Sequence, residues 1–169
     1  MSGGSARSWR LAAVVLTVVL GLDQLTKALV RSGVQPGDSD PIFPALKLVH
    51  VENRGVAFGA FSDGGQGVVI VVIAVALVAL LAYFATHADQ RGIWLPTGLL
   101  MGGAVGNIVD RIARGGVTDF LKLPGWPAFN VADIAITLGV VALLIVIERG
   151  DRDDDHPGVV VDDGAPGSA

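Results

Sequence analysis

The sequence predicts an all-α integral membrane protein with four transmembrane helices. Of its 169 residues, 51% are hydrophobic and only 17% are charged, whereas soluble globular proteins average about 25% charged residues. Four segments approach the length of about 20 apolar residues that a helix needs to cross a bilayer: residues 11–30, 67–85, 93–109 and 128–147. They leave no room for a separate soluble domain, so residues 1–150 are expected to form one membrane domain.

The first apolar segment is expected to be a retained membrane anchor. Arg7 and Arg10 precede an uncharged apolar run, which is also how a secretory signal peptide begins. No small-residue cleavage site follows, however, and the segment continues into Asp23 and Lys27. This continuation favours an anchor that stays in the protein.

The connection between the first two segments, residues 32–66, is too long for a simple turn. Loops beyond about 12–15 residues are usually functional or disordered. This one contains the run LKLVHVEN, which is rich in residues that favour strands. The alternation of apolar and polar residues slips at Leu48–Val49, so we expect one short edge strand here.

The other three apolar segments differ in composition. The second contains no charge, the third is rich in glycine, and the fourth has one carboxylate near its start. Gly98 and Gly102 stand four residues apart in the third segment. Such a pair of small residues suits close helix packing in membranes, and Gly103 and Gly106 extend the pattern.

Residues 151–169 are expected to form an acidic disordered tail. Their net charge is −5, whereas residues 1–150 have a net charge of +1. The body therefore has no basic surface of the kind that a nucleic-acid partner requires. The absence of cysteine excludes disulfides, thiolate zinc sites and a cysteine nucleophile. Three widely spaced histidines provide no closely spaced metal-binding pair.

Ionisable residues in or beside the apolar segments are the strongest indication of function. An Asp, Lys or Arg at the centre of a membrane helix costs about 2.5–3.5 kcal/mol on insertion scales, so such residues are functional by default. They occur here together with amides, mostly at helical spacings of three or four: Asp23 and Lys27; Asn107, Asp110 and Arg111; Asp119; Asn130 and Asp133. One water-filled polar site near one membrane face accounts for all of them.

Each group also has a structural interpretation. Asp23 and Lys27 form a neutralising pair on one helical face, and for this pair we favour the structural role. Asn130 and Asp133 have the spacing of a helix capping box, with Asp in place of Glu. Asp110 and Arg111 fit the headgroup layer, where charge costs little.

The side chains available for catalysis favour carboxylates. All seven serines lie in loops or terminal segments, so a serine–lysine protease built on Ser39 or Ser62 lacks an obvious base. Two carboxyl groups held close together share a proton, and one then activates water while the other protonates the substrate carbonyl. This scheme needs neither a metal nor a cofactor. Spacing alone does not decide which two of the four acids form such a pair.

Four blocks of sequence resemble lipoprotein signal peptidase, the bacterial signal peptidase II family. They are GLDQLTK (21–27), NRGVAFG (53–59), GGAVGNIVDRIARGGVTDF (102–120) and FNVADIAI (129–136), which together cover 41 residues in the family's order. The resemblance implies four transmembrane helices with a small extracytoplasmic β-containing cradle between the first and the second. The strand-like run before Asn53 fits such a cradle.

The resemblance also implies roles for individual residues. Asp119 and Asp133 match the catalytic aspartate pair. Asn53 and Arg111 match positions that hold the substrate backbone. Four further matches are the amides that order the pocket, Asn107 and Asn130, and the polar motif of the first helix, Asp23 and Lys27. We assign Asp110 a supporting role beside them.

The implied substrate is a prolipoprotein whose cysteine already carries diacylglycerol, and cleavage occurs just before that cysteine. Because the acyl chains remain in the bilayer, a site at the membrane surface meets the scissile bond. The resemblance implies a multi-pass protein of the bacterial cytoplasmic membrane. Its active site faces the extracytoplasmic side, and both termini and the acidic tail are cytoplasmic. We expect a monomer that contacts membrane lipid and these substrates.

Lys and Arg residues do not decide the orientation. Five such residues are predicted on the cytoplasmic side and six at or near the other side, so the positive-inside rule gives no clear answer. Two other functions remain open on the residues alone: a proton-coupled transporter or channel that uses the same acids, and a membrane adaptor that works through the tail.

Overall fold

The structure, a computed structural model, describes residues 3–55 and 66–155 and contains four helices and three strands in that part of the chain. In chain order the elements are α1 (Gly3–Gly33), β1 (Ser39–Phe43), β2 (Leu46–Asn53), α2 (Gln66–His87), α3 (Trp94–Arg114), β3 (Val117–Lys122) and α4 (Val131–Asp155). Each of the four predicted apolar segments contains a helix, although the third helix begins at Trp94 and the fourth only at Val131. Of the predicted tail, residues 156–169 lie outside the described residues.

Three of the helices, α1, α2 and α4, are long and apolar enough to cross a membrane. Helix α3 does not meet that criterion because it carries glycines and the polar residues Asn107, Asp110 and Arg111. Since α3 packs against each of the other three helices, its surface need not be apolar all round. The four-span count remains a prediction.

Glycines on α3 bring the neighbouring helices into backbone contact. A Cβ atom on Gly98 would lie 2.8 Å from the carbonyl oxygen of Ala12, and one on Gly102 would lie 3.0 Å from that of Leu16. From the first contact to the second, the position moves four residues forward in both helices, so α1 and α3 run parallel. On the other side, a Cβ atom on Gly103 would lie 2.5 Å from the carbonyl oxygen of Ala132 in α4. The packing role predicted for these glycines is confirmed.

The prediction of one short edge strand was wrong. Strand β2 is eight residues long and is the central strand of an antiparallel sheet with the order β1-β2-β3. The predicted slip in alternation is real, because the register between β2 and β3 shifts between Leu48 and Val51. Strand β3 escaped notice because its first four residues are all buried, which removes the alternating pattern.

The chain after β3 folds back onto that strand. Leu121 and Phe129 exchange two backbone hydrogen bonds, each of 2.9 Å, and α4 begins two residues after Phe129. This return brings the start of α4 beside Asp119. At its other end α4 continues to Asp155, so residues 151–155 are helical rather than part of a disordered tail. Extending an existing helix costs much less than starting one.

The tight contact at Gly98 predicts that Gly98→Ala destabilises the bundle. The added methyl group would lie 2.6 Å from the Cβ atom of Val15 as well as against the backbone of Ala12. Overpacking of this kind costs about 1–3 kcal/mol. The measurement is denaturant unfolding in detergent micelles, followed by tryptophan fluorescence.

The matched control is Gly21→Ala, because Gly21 is also helical but has nothing within 4 Å of its added Cβ atom. This control should be neutral or should stabilise the protein by up to about 1 kcal/mol, the difference in helix propensity. Equal unfolding free energies for the two variants would contradict the proposed helix packing.

Candidate active site

The candidate site lies at the end of the bundle where α1 and α3 end and α4 begins. Asp119 is in β3, where it is the register partner of Val51 in β2. Asp133 is in the first turn of α4. The sheet and the fourth helix thus supply one carboxylate each.

Asn130 connects the two carboxylates. Its side-chain Nδ2 donates a hydrogen bond to Oδ1 of Asp119 at 2.7 Å, and its backbone N–H donates to Oδ2 of Asp133 at 3.1 Å. In return, Oδ1 of Asn130 accepts a hydrogen bond from the backbone N–H of Asp133 at 3.0 Å. The capping box predicted for Asn130 and Asp133 is therefore confirmed, and the same residue also holds Asp119.

Two further amides hold the outer sides of the carboxylates. Asn53, at the end of β2, donates to Oδ2 of Asp119 at 3.0 Å. Asn107, on α3, donates to Oδ1 of Asp133 at 2.9 Å. Each carboxylate consequently accepts two N–H donors and has a fixed orientation. Of the predicted block at residues 53–59, residues 56–59 lie outside the described residues.

A fully buried ammonium group, Lys27, fixes the amide of Asn107. All three N–H donors of Lys27 have an acceptor: Asp23 at 2.8 Å, Asp110 at 3.1 Å and Asn107 at 2.9 Å. Because Oδ1 of Asn107 faces the ammonium group, its Nδ2 must face Asp133. The pairing predicted for Asp23 and Lys27 is confirmed, and it connects the first helix to the site.

Arg31 and Thr118 belong to this network and were missed by the sequence analysis. Arg31 lies 3.6 Å from Oδ1 of Asp110 and donates a hydrogen bond to Oγ1 of Thr118 at 3.1 Å. The backbone N–H of Thr118 in turn donates to Asp110 at 3.2 Å. Arg31 follows Lys27 by four residues, so the two side chains lie on the same helical face. This spacing is the sequence signal that could have identified Arg31 as part of the network.

The charges of this cluster balance. Two cations, Lys27 and Arg31, face two carboxylates, Asp23 and Asp110. A second anchor holds Asp23, whose Oδ1 accepts the backbone N–H of Ala132 at 3.0 Å. Buried charges are tolerated only when they are paired and hydrogen-bonded in this way.

Arg111 lies beside an apolar cavity and within electrostatic reach of Asp133, Asp119 and Asp110. Its described hydrogen bond runs to the backbone oxygen of Asn107 at 3.2 Å. The cavity has a volume of about 600 Å³ and lies among α2, α3 and α4. Three polar residues line it, Tyr83, Asn107 and Arg111, and the rest of its wall is aliphatic. The arrangement joins an apolar chamber to the polar cluster.

Burial raises the pKa of Asp119 to about 6. Loss of solvent is the largest cause, and the nearby charge of Asp133 raises the pKa further. The hydrogen bonds from Asn53 and Asn130 and the charge of Lys27 act in the opposite direction, but they do not cancel the effect of burial. Asp119 can therefore hold or release a proton near neutral pH.

The family model of signal peptidase (SPase) II matches residues 15–148 of the chain. The lipoprotein signal peptidase of Moorella thermoacetica is 42% identical over 127 residues, which are 75% of this chain and 85% of that protein. The enzyme of the same name from Azoarcus sp. is 43% identical over 142 residues, 78% of each chain. That from Halothermothrix orenii is 36% identical over 143 residues, 84% of this chain and 98% of that protein.

Solved structures show the same architecture. A bacterial membrane enzyme determined by the in meso method at 2.3 Å resolution superposes with a TM-score of 0.80 and 28% identity, over 88% of this chain and 93% of the other. A second bacterial membrane enzyme, at 1.9 Å, gives a TM-score of 0.71 and 28% identity, over 80% and 91% of the two chains.

The buried cluster predicts that Lys27→Met strongly destabilises the protein. Removal of the ammonium group leaves Asp23 and Asp110 without their shared cation, and breaking a buried pair costs about 3–5 kcal/mol. Denaturant unfolding in micelles measures the loss. Lys47→Met is the control because Lys47 is exposed, so its replacement should change stability by less than about 0.5 kcal/mol. Similar values for the two variants would rule out the stabilising role of Lys27.

Proposed function

The chain belongs to the signal peptidase II family, and from that premise we propose that it is an aspartic endopeptidase whose catalytic pair is Asp119 and Asp133. It is a membrane-embedded peptidase that removes signal peptides from prolipoproteins. The aspartic mechanism is supported by one observation above all. Asn130 holds a carboxylate from the sheet and a carboxylate from α4 at the same time.

The two carboxylates are suited to different parts of the reaction. Asp119, with its raised pKa, is the acid that protonates the scissile carbonyl oxygen. Asp133 is the base that takes a proton from water as the water oxygen attacks the carbonyl carbon. The tetrahedral intermediate then collapses, the C–N bond breaks, and the leaving amine receives the proton held by Asp133. Asp119 recovers its proton from the intermediate's hydroxyl group as the carbonyl re-forms.

Amide and guanidinium groups around the pair hold the substrate and the carboxylates. In this proposal Asn53 and Arg111 bind the backbone of the peptide beside the pair. Asn107 and Asn130 keep the carboxylates in place. Lys27, which is paired with Asp23 and Asp110, holds the amide of Asn107. Asn53 lies at the end of a strand and Arg111 at the end of a helix, so the peptide would lie between the sheet and the bundle.

The substrate is proposed to carry diacylglycerol on the cysteine that follows the scissile bond. The aliphatic cavity that reaches Asn107 and Arg111 supports this proposal, because it offers an apolar chamber next to a polar reaction site. A lipid-modified segment can enter such a chamber sideways from the bilayer without leaving the apolar phase. Lipid contact and a monomeric state are parts of the same proposal.

The proposed topology has four spans, with α3 as the enclosed third span. The site would face the extracytoplasmic side of the bacterial cytoplasmic membrane, with the sheet forming a cradle there and both termini in the cytoplasm. Residues 1–150 would form the membrane domain, followed by the acidic segment 151–169. In this topology Arg31 lies near the extracytoplasmic side, where the positive-inside rule disfavours a positive charge. Its contacts with Asp110 and Thr118 give it a structural reason to be there, which supports the orientation.

The transporter alternative is not favoured. Family membership assigns the chain to the peptidases, and the carboxylates are arranged in a closed set of hydrogen bonds with amides rather than along a path through the bundle.

We expect Asp119→Asn and Asp133→Asn each to reduce cleavage by a factor on the order of 10²–10⁴ or more, because each removes one proton-transfer group. Mass spectrometry of a diacylglyceryl-modified precursor measures the product. Asp40→Asn is the control because Asp40 is exposed in β1, and it should cleave normally. Normal cleavage by either variant of the pair, in protein that inserts and folds, would refute the aspartic assignment.

The hydrogen bond from Asn53 predicts a change in pH dependence. This donor stabilises ionised Asp119 and lowers its pKa, so Asn53→Ala should raise that pKa. If Asp119 must be protonated to act, the alkaline limb of the kcat/KM profile lies near pH 6 in the free wild-type enzyme and moves to higher pH in the variant. A role in substrate contact alone would lower kcat/KM without moving this limb. Glu52→Gln, an exposed neighbour paired with Arg54, should leave the limb unchanged.

A further inference from the structure

A second cavity lies at the end of the bundle opposite the candidate active site. It has a volume of about 750 Å³ and forms where the connection between α2 and α3 meets the last turns of α4. Most of its wall is apolar: Leu95, Pro96, Ala142, Ile145 and Val146. None of the residues assigned to peptide cleavage lines it.

Two exposed arginines, Arg91 and Arg149, also line this cavity. The ion pairs found among residues 3–55 and 67–150 include neither of them. Guanidinium groups bind phosphate oxygens with two parallel hydrogen bonds. An apolar wall that ends at two such groups matches an amphiphile with a phosphate at its polar end.

Gln90 adds a requirement for a hydrogen-bond donor. Its Nε2 donates to the backbone oxygen of Val146 at 3.1 Å, which fixes the direction of the side-chain amide. Its Oε1 is buried and has no hydrogen-bond partner, and it is the one such side-chain atom in the described part of the chain. A buried acceptor without a donor costs about 1–3 kcal/mol, so a ligand that supplies an O–H or N–H group would relieve this cost.

Gly150 makes room for Gln90. A Cβ atom at this position would lie 2.6 Å from Nε2 of Gln90. The absence of a side chain therefore lets Gln90 lie on the backbone of α4 and form part of the cavity wall.

Aromatic residues place this end of the bundle at a membrane surface. Trp9, Tyr83 and Trp94 pack around the buried cluster formed by the ends of the helices there. Tryptophan and tyrosine are enriched at the level of the lipid headgroups. The cavity lies at the same end, where phospholipid headgroups are present at high local concentration.

From these five features we propose that the cavity binds an anionic phospholipid whose headgroup carries a hydrogen-bond donor, the chemistry of phosphatidylglycerol. The phosphate lies between Arg91 and Arg149, a headgroup hydroxyl donates to Oε1 of Gln90, and the acyl chains run along the aliphatic wall. The site is separate from the peptidase centre, so a bound lipid would link the connection between α2 and α3, the start of α3 and the last turns of α4.

The test is native mass spectrometry of the purified full chain in detergent, titrated with phosphatidylglycerol or with phosphatidylcholine of the same acyl chains. Phosphatidylglycerol should be retained at least fivefold more tightly. Arg91→Gln and Arg149→Gln should each weaken its binding about fivefold, the effect expected for one basic residue near a lipid surface, and the double variant by a factor on the order of 25.

Arg114→Gln is the matched control, because Arg114 is an exposed arginine at the other end of the bundle and its loss removes the same charge. It should bind phosphatidylglycerol like the wild type. Gly150→Ala, which displaces Gln90, should weaken binding of phosphatidylglycerol while leaving that of phosphatidylcholine unchanged. Unfolding in lipid-free micelles confirms that each variant is folded.

Three outcomes would overturn the proposal: equal retention of the two lipids, an equal loss in Arg114→Gln and Arg91→Gln, or tight binding of glycerol 3-phosphate without acyl chains. The last result would assign the site to a soluble phosphate compound. Since no substrate is present in this experiment, its result is independent of the assignment of Asp119 and Asp133.

Discussion

The buried ammonium group of Lys27 is the interaction on which the candidate site depends. It is fully buried, and each of its three donors has an acceptor on a different side: Asp23 on its own helix, and Asp110 and Asn107 on α3. A membrane interior gives an unpaired charge no solvent, so this set of contacts must form together or not at all. The same contacts settle which atom of the Asn107 amide faces Asp133. A charge that stabilises the packing of two helices thereby also fixes Asp133, one carboxylate of the proposed catalytic pair.

Asn130 shows that structural and functional roles need not be alternatives. The reciprocal bonds between Asn130 and Asp133 make an ordinary helix cap, and such a cap contributes about 0.5–2 kcal/mol. Its side-chain nitrogen remains available after capping, and that nitrogen holds Asp119. The start of α4 is therefore rigid at the point where a proposed catalytic acid needs a fixed position.

The sequence predicted the helices, the Asp23–Lys27 pair and the cap, because each depends on neighbours within one or two helical turns. It did not predict that β3 pairs with β2, or that Arg31 joins Asp110 and Thr118. These contacts join residues that are distant in the chain, and four consecutive buried residues in β3 hide its strand periodicity. Spacing alone could not select Asp119 and Asp133 among four acids, because the choice depends on where the chain returns at Phe129. Family resemblance supplied that choice.

Gly106 affects both the packing of α1 against α3 and the position of a buried charge. A Cβ atom there would lie 2.5 Å from Oδ2 of Asp23, the same oxygen that contacts Lys27 at 2.8 Å. Close approach of α1 and α3, made possible by glycines one turn apart, is thus what brings the carboxylate of α1 within reach of the polar end of α3. A larger residue at any of these positions would do more than loosen an apolar interface. It would move Asp23 and Lys27 away from Asn107, so the geometry of Asp133 depends on the absence of side chains along one face of α3.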